Sequence, residues 1–390
     1  VSKTRPPVGT LPTDTQYWAL SVDMASKTDT EDFENLKDRV DVIEPSVEKI
    51  TPLPTAQRPY TSQKFNYVSS CPISTLMFAR NVNLVSYGDY GIFVAKGKEI
   101  SHTDNYAIEW ISEELPLAES DSILDVTESN EGVVVITKSG KMYVRVFEYP
   151  NFSWVETQSH FENGRISGYC YNYSNWKYYV NESIEEDGEY VLYTLISDSL
   201  LDLSSADVAE FTLTFSTPIY SSKMRYYNGY FIYTARNATF ALNQNIYLLD
   251  ANFDDYLDYF DATREVEWIN HIRDMEFVCG LGNSIIRISV NNDAMTHEVV
   301  GMYQSPSRPT TNSAIGKTYF ASQDSLYMID SLFAEEAQVI DNSKYWTFVV
   351  GSIMYESNVV AFANSSVYVM QNGCDYVLRA YDDGTYEWVK

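Results

Sequence analysis

One short pattern returns seven times between Gly91 and Asp382 and limits what this chain can fold into. A run of small, β-branched or aromatic residues crosses a polar turn and re-enters a second apolar run. The clearest copy is Gly132-Val133-Val134-Val135-Ile136-Thr137, turning through Lys138-Ser139-Gly140-Lys141 into Met142-Tyr143-Val144-Arg145-Val146. Comparable runs begin at Gly91, Trp176, Gly229, Glu276, Lys317 and Asn358, so the steps between starts are 41, 44, 53, 47, 41 and 41 residues. Strand-like units at such a period, with almost no helical pattern, are the signature of a radial repeat. Each unit is too small to bury both faces of its own sheet. Packing neighbours face to face around an axis buries those faces and leaves only short edges. The expectation is an all-β chain built as a β-propeller of seven blades.

A second periodic mark accompanies the first. Trp followed by a β-branched residue recurs as Trp110-Ile111, Trp154-Val155, Trp268-Ile269 and Trp388-Val389, which reads as an outer strand closing a blade. On that reading the chain terminus contributes a closing strand. The fourth unit is taken as the longest, with its surplus at Leu249–Asp261 forming a loop or short helix.

The first 68 residues are different. Residues 1–29 are loop-like and contain Pro6-Pro7-Val8-Gly9-Thr10-Leu11-Pro12-Thr13-Asp14-Thr15-Gln16-Tyr17-Trp18. This resembles a motif common in tailed-bacteriophage tail-fibre and other tail proteins. There it belongs to a small module related to the carbohydrate-binding domains of chitinases. The match covers the back half of that module. The resemblance implies a virion context, with Tyr17 and Trp18 as glycan-stacking candidates beside a plainer role in pinning a β-turn.

From Thr28-Asp29-Thr30-Glu31, an N-cap with early acids, one amphipathic helix is expected. Phe33, Leu36, Val40, Ile43, Val47 and Ile50 follow at spacings of 3 and 4, an a/d seam that suits an oligomerising neck over 30–50. Pro45 should kink or end the helix. An amphipathic helix packed on its own domain would show the same seam. Residues 51–68 carry three prolines without periodicity and read as a linker, leaving the propeller at 69–390.

Composition narrows the function classes. With 27 basic and 54 acidic residues the net charge is −27, which opposes loose or sequence-specific nucleic-acid binding. No apolar stretch approaches the length of a membrane span. Cys71, Cys170, Cys279 and Cys374 form no CxxC pair, and Cys170 and Cys279 fall in strand-like runs, so buried free thiols are expected. His102, His160, His271 and His297 are scattered singly, without metal-ligand spacing, and are expected at the surface in turns.

No Walker loop, GxSxG, HExxH or kinase set is present. Some propellers are glycosidases with paired carboxylates, but 54 acids offer no way to select a pair. The one acidic constellation is Asp250, Asp254, Asp255, Asp258 and Asp261, a calcium candidate whose spacing departs from the EF-hand loop. Otherwise neither a metal nor a cofactor is expected. Tyr220, Tyr226, Tyr227, Tyr230 and Tyr233 offer either a recognition surface or packing between blades.

The reading that unites these features is a structural, non-enzymatic virion protein of a tailed phage. It would be tail- or fibre-associated and attach to a host-surface glycan or receptor, or to neighbouring virion proteins. A homo-oligomer, with a trimer favoured, would supply multivalency. Alternatives are a tail nozzle or stopper-type ring protein, a propeller glycosidase acting on host polysaccharide, and a secreted cellular propeller glycosylated at the sequons Asn151, Asn172, Asn181, Asn237 and Asn364.

Overall fold

The computed structural model describes residues 65–71, 82–86, 91–103, 109–148, 151–237, 244–303, 306–312, 317–322, 325–330, 338–339, 349–355, 358–363, 366–370, 377–380 and 386–389. By contacts the chain divides into a unit Val1–Pro59 and a unit Tyr60–Lys390. All the described strands belong to the second.

After β1 (Phe65–Ser70), the strands fall into successive antiparallel sheets. The first holds β2 (Val82–Ser86), β3 (Ile92–Lys96), β4 (Glu99–Thr103) and β5 (Ile111–Glu113). The second holds β6 (Ile123–Ser129), β7 (Gly132–Thr137), β8 (Met142–Glu148) and β9 (Asn151–Glu156). In the third, β10 (Arg165–Asn172), β11 (Lys177–Glu186) and β12 (Glu189–Ser197) are followed by β13 (Asp207–Val208) and β14 (Leu213–Phe215), both paired with β12. The fourth runs β15 (Ile219–Tyr227), β16 (Tyr230–Asn237), β17 (Gln244–Asp250) and β18 (Tyr256–Ala262). The fifth runs β19 (Val266–Arg273), β20 (Glu276–Leu281), β21 (Ser284–Asn291) and β22 (Ala294–Gly301). The sixth has β23 (Thr310–Asn312), β24 (Lys317–Ser322), β25 (Ser325–Asp330) and β26 (Gln338–Val339). The last has β27 (Val349–Tyr355), β28 (Asn358–Ala363) and β29 (Ser366–Met370), with β1 as its fourth strand. A separate pair, β30 (Val377–Ala380) and β31 (Tyr386–Val389), completes the described strands.

First strands of neighbouring sheets touch: β2 meets β6, β10 meets β15, β15 meets β19, β23 meets β27, and β27 returns to β2. The sheets therefore encircle an axis lined by their first strands. Every start of the repeated pattern coincides with a second strand or its turn, at β3, β7, β11, β16, β20, β24 and β28.

Those second strands read as unbroken apolar runs because both of their faces are covered. Val133 and Val135 pack with Phe93 and Ile100 of the first sheet, while Val134 and Ile136 pack with Tyr178 and Val180 of the third. The alternation continues around the ring. Tyr179 faces Phe231 and Tyr233, and Ile232 faces Phe277 and Cys279. Trp268 and Ile285 then face Phe320. Each such fully buried side chain stabilises the fold by roughly 1.5–3 kcal/mol.

Several expectations are corrected. Ring closure uses the N-terminal strand β1, not the C-terminus: Trp388 lies on β31, in the two-stranded sheet. Residues 65–68, read as linker, are part of β1. Trp110 and Trp154 do mark outer strands, whereas Trp268 lies on the axial strand β19. Leu249–Asp261 is not a loop or helix; it ends β17 and enters β18 through a short turn. The 53-residue step belongs to the third sheet, where β13 and β14 supply the surplus. Cys170 and Cys279 are buried free thiols, as expected, and Cys71 is buried. Among the described residues no helix is long and apolar enough to cross a membrane.

Candidate functional site

The turns joining first to second strands line up on one end of the ring and carry a patch of aromatic side chains. The β10–β11 turn begins with an Asx motif, in which the Asn172 Oδ1 accepts the amides of Ser174 (2.9 Å) and Asn175 (3.4 Å). A tyrosine of the fourth sheet and one of its own sheet pin it. The Tyr226 hydroxyl donates to Ser174 Oγ (2.7 Å) and accepts the Gly229 amide (3.0 Å). The Tyr179 hydroxyl donates to the Ala251 carbonyl (3.0 Å) and accepts Asn175 Nδ2 (3.1 Å). The chain then passes through Trp176 at φ 62° with its side chain 72% exposed.

That combination is unusual. Most non-glycine residues at positive φ here are Asn or Asp, which tolerate the left-handed region. The other aromatic one described, Phe253, is fully buried in the core. Trp176 therefore carries a backbone cost of about 1–2 kcal/mol without the burial that would offset it. Tyr173, also exposed, stands edge-on to Tyr226 at 5.1 Å. The patch continues onto the next sheets. Tyr227 stacks on His271 at 3.8 Å, Asn228 Nδ2 approaches Met275 Sδ at 3.9 Å, and the Tyr230 hydroxyl donates to Asp293 at 2.7 Å. Strand alternation divides the five candidate tyrosines: Tyr226 and Tyr233 are buried between sheets, while Tyr220, Tyr227 and Tyr230 stay half-exposed.

A second polar concentration lies on the axis. In β6, β10, β15, β19 and β27 a bulge follows an Ile or Val at the first or second position of the strand and re-aims the next residues. After the first of these, Asp125 meets Lys223 Nζ at 2.5 Å, reaching past the intervening β10. Here β10 and β15 come so close that a Cβ on Gly168 would collide with the Ser222 carbonyl, so only glycine fits. Burial pushes the Asp125 carboxyl up, but Lys223, with Arg308 and Arg225, more than reverses this and holds it below the usual range. Glu128, without such a contact, is raised by burial against the pull of the same two arginines. The Tyr169 hydroxyl accepts Thr127 Oγ1 and donates to the Glu128 carbonyl, both at 2.8 Å.

A third cluster is structural. Glu113 on β5 accepts Arg145 Nε (2.8 Å) and Trp154 Nε1 (2.7 Å), and lies 2.6 Å from His102 Nδ1. The Arg145 guanidinium sits 3.8 Å from the Phe152 ring centroid. These groups tie the first two sheets together through a buried ion pair.

The expected placement of the histidines is corrected. His102, His271 and His297 lie on strands β4, β19 and β22, and only His160 is in a turn, against the Leu203 carbonyl. His102 is buried, and His297 stacks on Phe260. The acidic constellation does not converge. Asp250 caps the amides of Asn252 and Phe253, and Asp258 accepts the Met295 amide. Among the described residues no three His, Cys, Asp or Glu come together to hold a metal ion. Of the sequons, Asn172 and Asn181 are buried, which argues against glycans there. Tyr17, Trp18 and the seam Phe33, Leu36, Val40, Ile43, Val47 and Ile50 lie outside the described residues.

No protein-family model and no curated protein sequence matches the chain. Solved structures do. A chain of the mitotic checkpoint complex is similar with a TM-score of 0.52 at 12% identity, covering 79% of this chain and 93% of that one. YCF48 from Cyanidioschyzon merolae gives 0.49 at 11% identity, covering 79% and 98%. A catalytically inactive virginiamycin B lyase from Staphylococcus aureus with quinupristin gives 0.49 at 12% identity, covering 79% and 100%. The fold is a β-propeller. At such identities the likeness concerns the fold alone, and function rests on this chain's own side chains.

Proposed function

We propose that this propeller is a binding module of a tailed-phage virion, associated with tail or fibre, that attaches the particle to a host surface or to a neighbouring virion protein. The observation that carries the binding role is Trp176, exposed on a strained turn that hydrogen bonds from two sheets hold in place. Rigid Trp and Tyr side chains give contact area at low entropic cost, and such anchors dominate recognition surfaces. The virion context is supported by the resemblance of Pro6–Trp18 to phage tail proteins.

Two experiments test this reading. Antibody raised against the chain should label the tails or fibres of intact particles in electron micrographs; labelling elsewhere or nowhere removes the virion context. Purified full-length chain should adhere to host cells or to purified tail proteins, with Trp176→Ala and Tyr173→Ala each weakening adhesion about tenfold. Adhesion unchanged in both variants overturns the role of this face. Release of reducing sugar from host polysaccharide would instead establish the glycosidase.

A further inference from the structure

The turn that carries Trp176 is tied to a second turn, between β17 and β18, through one hydroxyl. Tyr179 Oη accepts Asn175 Nδ2 at 3.1 Å and donates to the Ala251 carbonyl at 3.0 Å. Phe253 plugs this second turn, fully buried at φ 62°, with its ring 5.8 Å from Tyr179 and 5.3 Å from Phe231. The Asp250 carboxylate accepts the Phe253 amide at 3.1 Å, and the Phe253 carbonyl accepts the Phe211 amide at 3.1 Å. The two turns stand side by side, each fixed before any partner arrives.

The second turn presents acid and apolar surface together. Asp254, Asp255, Tyr256 and Leu257 follow Phe253, and all four are exposed. Leu257 is the extra residue of a bulge, set between Tyr256 opposite Leu249 and Asp258 opposite Leu248, so it has no partner on β17. Asp254 and the Trp176 indole have no hydrogen-bond, ion-pair or ring partner among the described residues. The first-to-second and third-to-fourth turns of the third, fourth and fifth sheets carry no lysine or arginine, while Asp254, Asp255, Asp274 and Asp293 are exposed on them. The base beside them, Lys177, is engaged by Asp198 at 3.4 Å. An exposed indole attracts a cation through its ring quadrupole, and carboxylates accept the cation's N–H groups. A neutral sugar would gain nothing from the acids, and a nucleic acid would be repelled by them.

We propose that these two turns form a docking site for a lysine- or arginine-bearing segment of a protein partner. Its cation would sit between the Trp176 indole and the carboxylates of Asp254 and Asp255, with Tyr256 and Leu257 covering the apolar stem of the same side chain. The proposal rests on the reading of Trp176 as a binding anchor and names the chemistry that it binds.

Fluorescence anisotropy of a labelled arginine–serine peptide, titrated with the full-length chain at an ionic strength of about 0.15 M, tests it. Saturable binding is expected. Trp176→Ala should weaken it about tenfold, the scale of a desolvated cation–π contact, and Asp254→Asn with Asp255→Asn should do the same. The control is Asp187→Asn with Glu189→Gln, which removes as much charge from exposed positions at the β11–β12 turn, on the opposite end, and should leave binding unchanged. Absence of saturable binding overturns the proposal, as does a Trp176→Ala variant that binds like the wild type. A loss in the control pair equal to that in the Asp254 and Asp255 pair also overturns it, because the attraction would then belong to the acidic chain as a whole. If the peptide does not bind but Trp176→Ala still lowers adhesion to host cells, the binding face stands and its ligand is not cationic. If the peptide binds as expected but the chain adheres to neither host cells nor tail proteins, the docking site stands and virion attachment falls.

Discussion

At the scale of single residues, the aromatic face and the buried ion pair make opposite demands on stability. Trp176 holds a left-handed backbone that glycine adopts without penalty. Trp176→Gly is therefore expected to stabilise the chain by about 1 kcal/mol in urea unfolding while weakening surface adhesion. A destabilised variant would mean that the indole packs the fold and is not reserved for a partner. Glu113 behaves in the reverse sense. Burial raises its carboxyl, but His102 and Arg145 outweigh burial and hold it below the ordinary 4.5. A depressed folded value means that the group's contribution is present above about 4.5 and is lost as pH falls through the folded value. Glu113→Ala should cost about 3–5 kcal/mol at neutral pH, because Arg145 is left buried and unpaired. The variant's stability should also respond less to acid than the wild type's, and unfolding curves at neutral pH and at pH about 3 would show both effects.

At the scale of elements, closure of the ring depends on one strand distant in sequence. Phe65–Ser70 pairs with Ser366–Met370 through a register that shifts between Tyr67 and Ser69. A chain beginning at Tyr60 should unfold like the full chain, whereas one beginning at Cys71 should lose several degrees of Tm and its single cooperative transition. Equal Tm values for the two would show that β1 is dispensable. This strand also marks the limit of what could be read beforehand. The repeated hairpins were legible because second strands such as Gly132–Thr137 are buried on both faces and leave an unmistakable apolar run. Phe65–Ser70 carries no such run and sits near prolines, while Glu387-Trp388-Val389 imitates the outer strands at Trp110 and Trp154. Edge pairing is decided by backbone hydrogen bonds, which leave little trace in side-chain pattern. The axial bulges did leave one: Ile123, Ile219, Val266 and Val349 open first strands, Ile166 stands second in its own, and their bulges recur with the sheets. The Asp125–Lys223 pair, 98 residues apart, had no local signature at all.

At the scale of the whole molecule, the net charge of −27 and the proposed binding face point to function through copy number. Acidic repulsion between chains opposes casual association, so any oligomer needs a dedicated element. We propose the seam Phe33, Leu36, Val40, Ile43, Val47 and Ile50 for that task, on its heptad spacing. Mass measurement in solution separates the outcomes. The full chain should run as a trimer, three times 44.6 kDa, and a chain beginning at Tyr60 as a monomer that keeps the closing strand. Joining three faces converts later contacts into intramolecular ones, so adhesion of the full chain should exceed that of the shorter one by roughly 10²–10⁴. A monomer in both cases would remove the neck and with it the multivalent mechanism. Adhesion would then rest on the Trp176 face of a single propeller, and the two chains should bind a surface equally well.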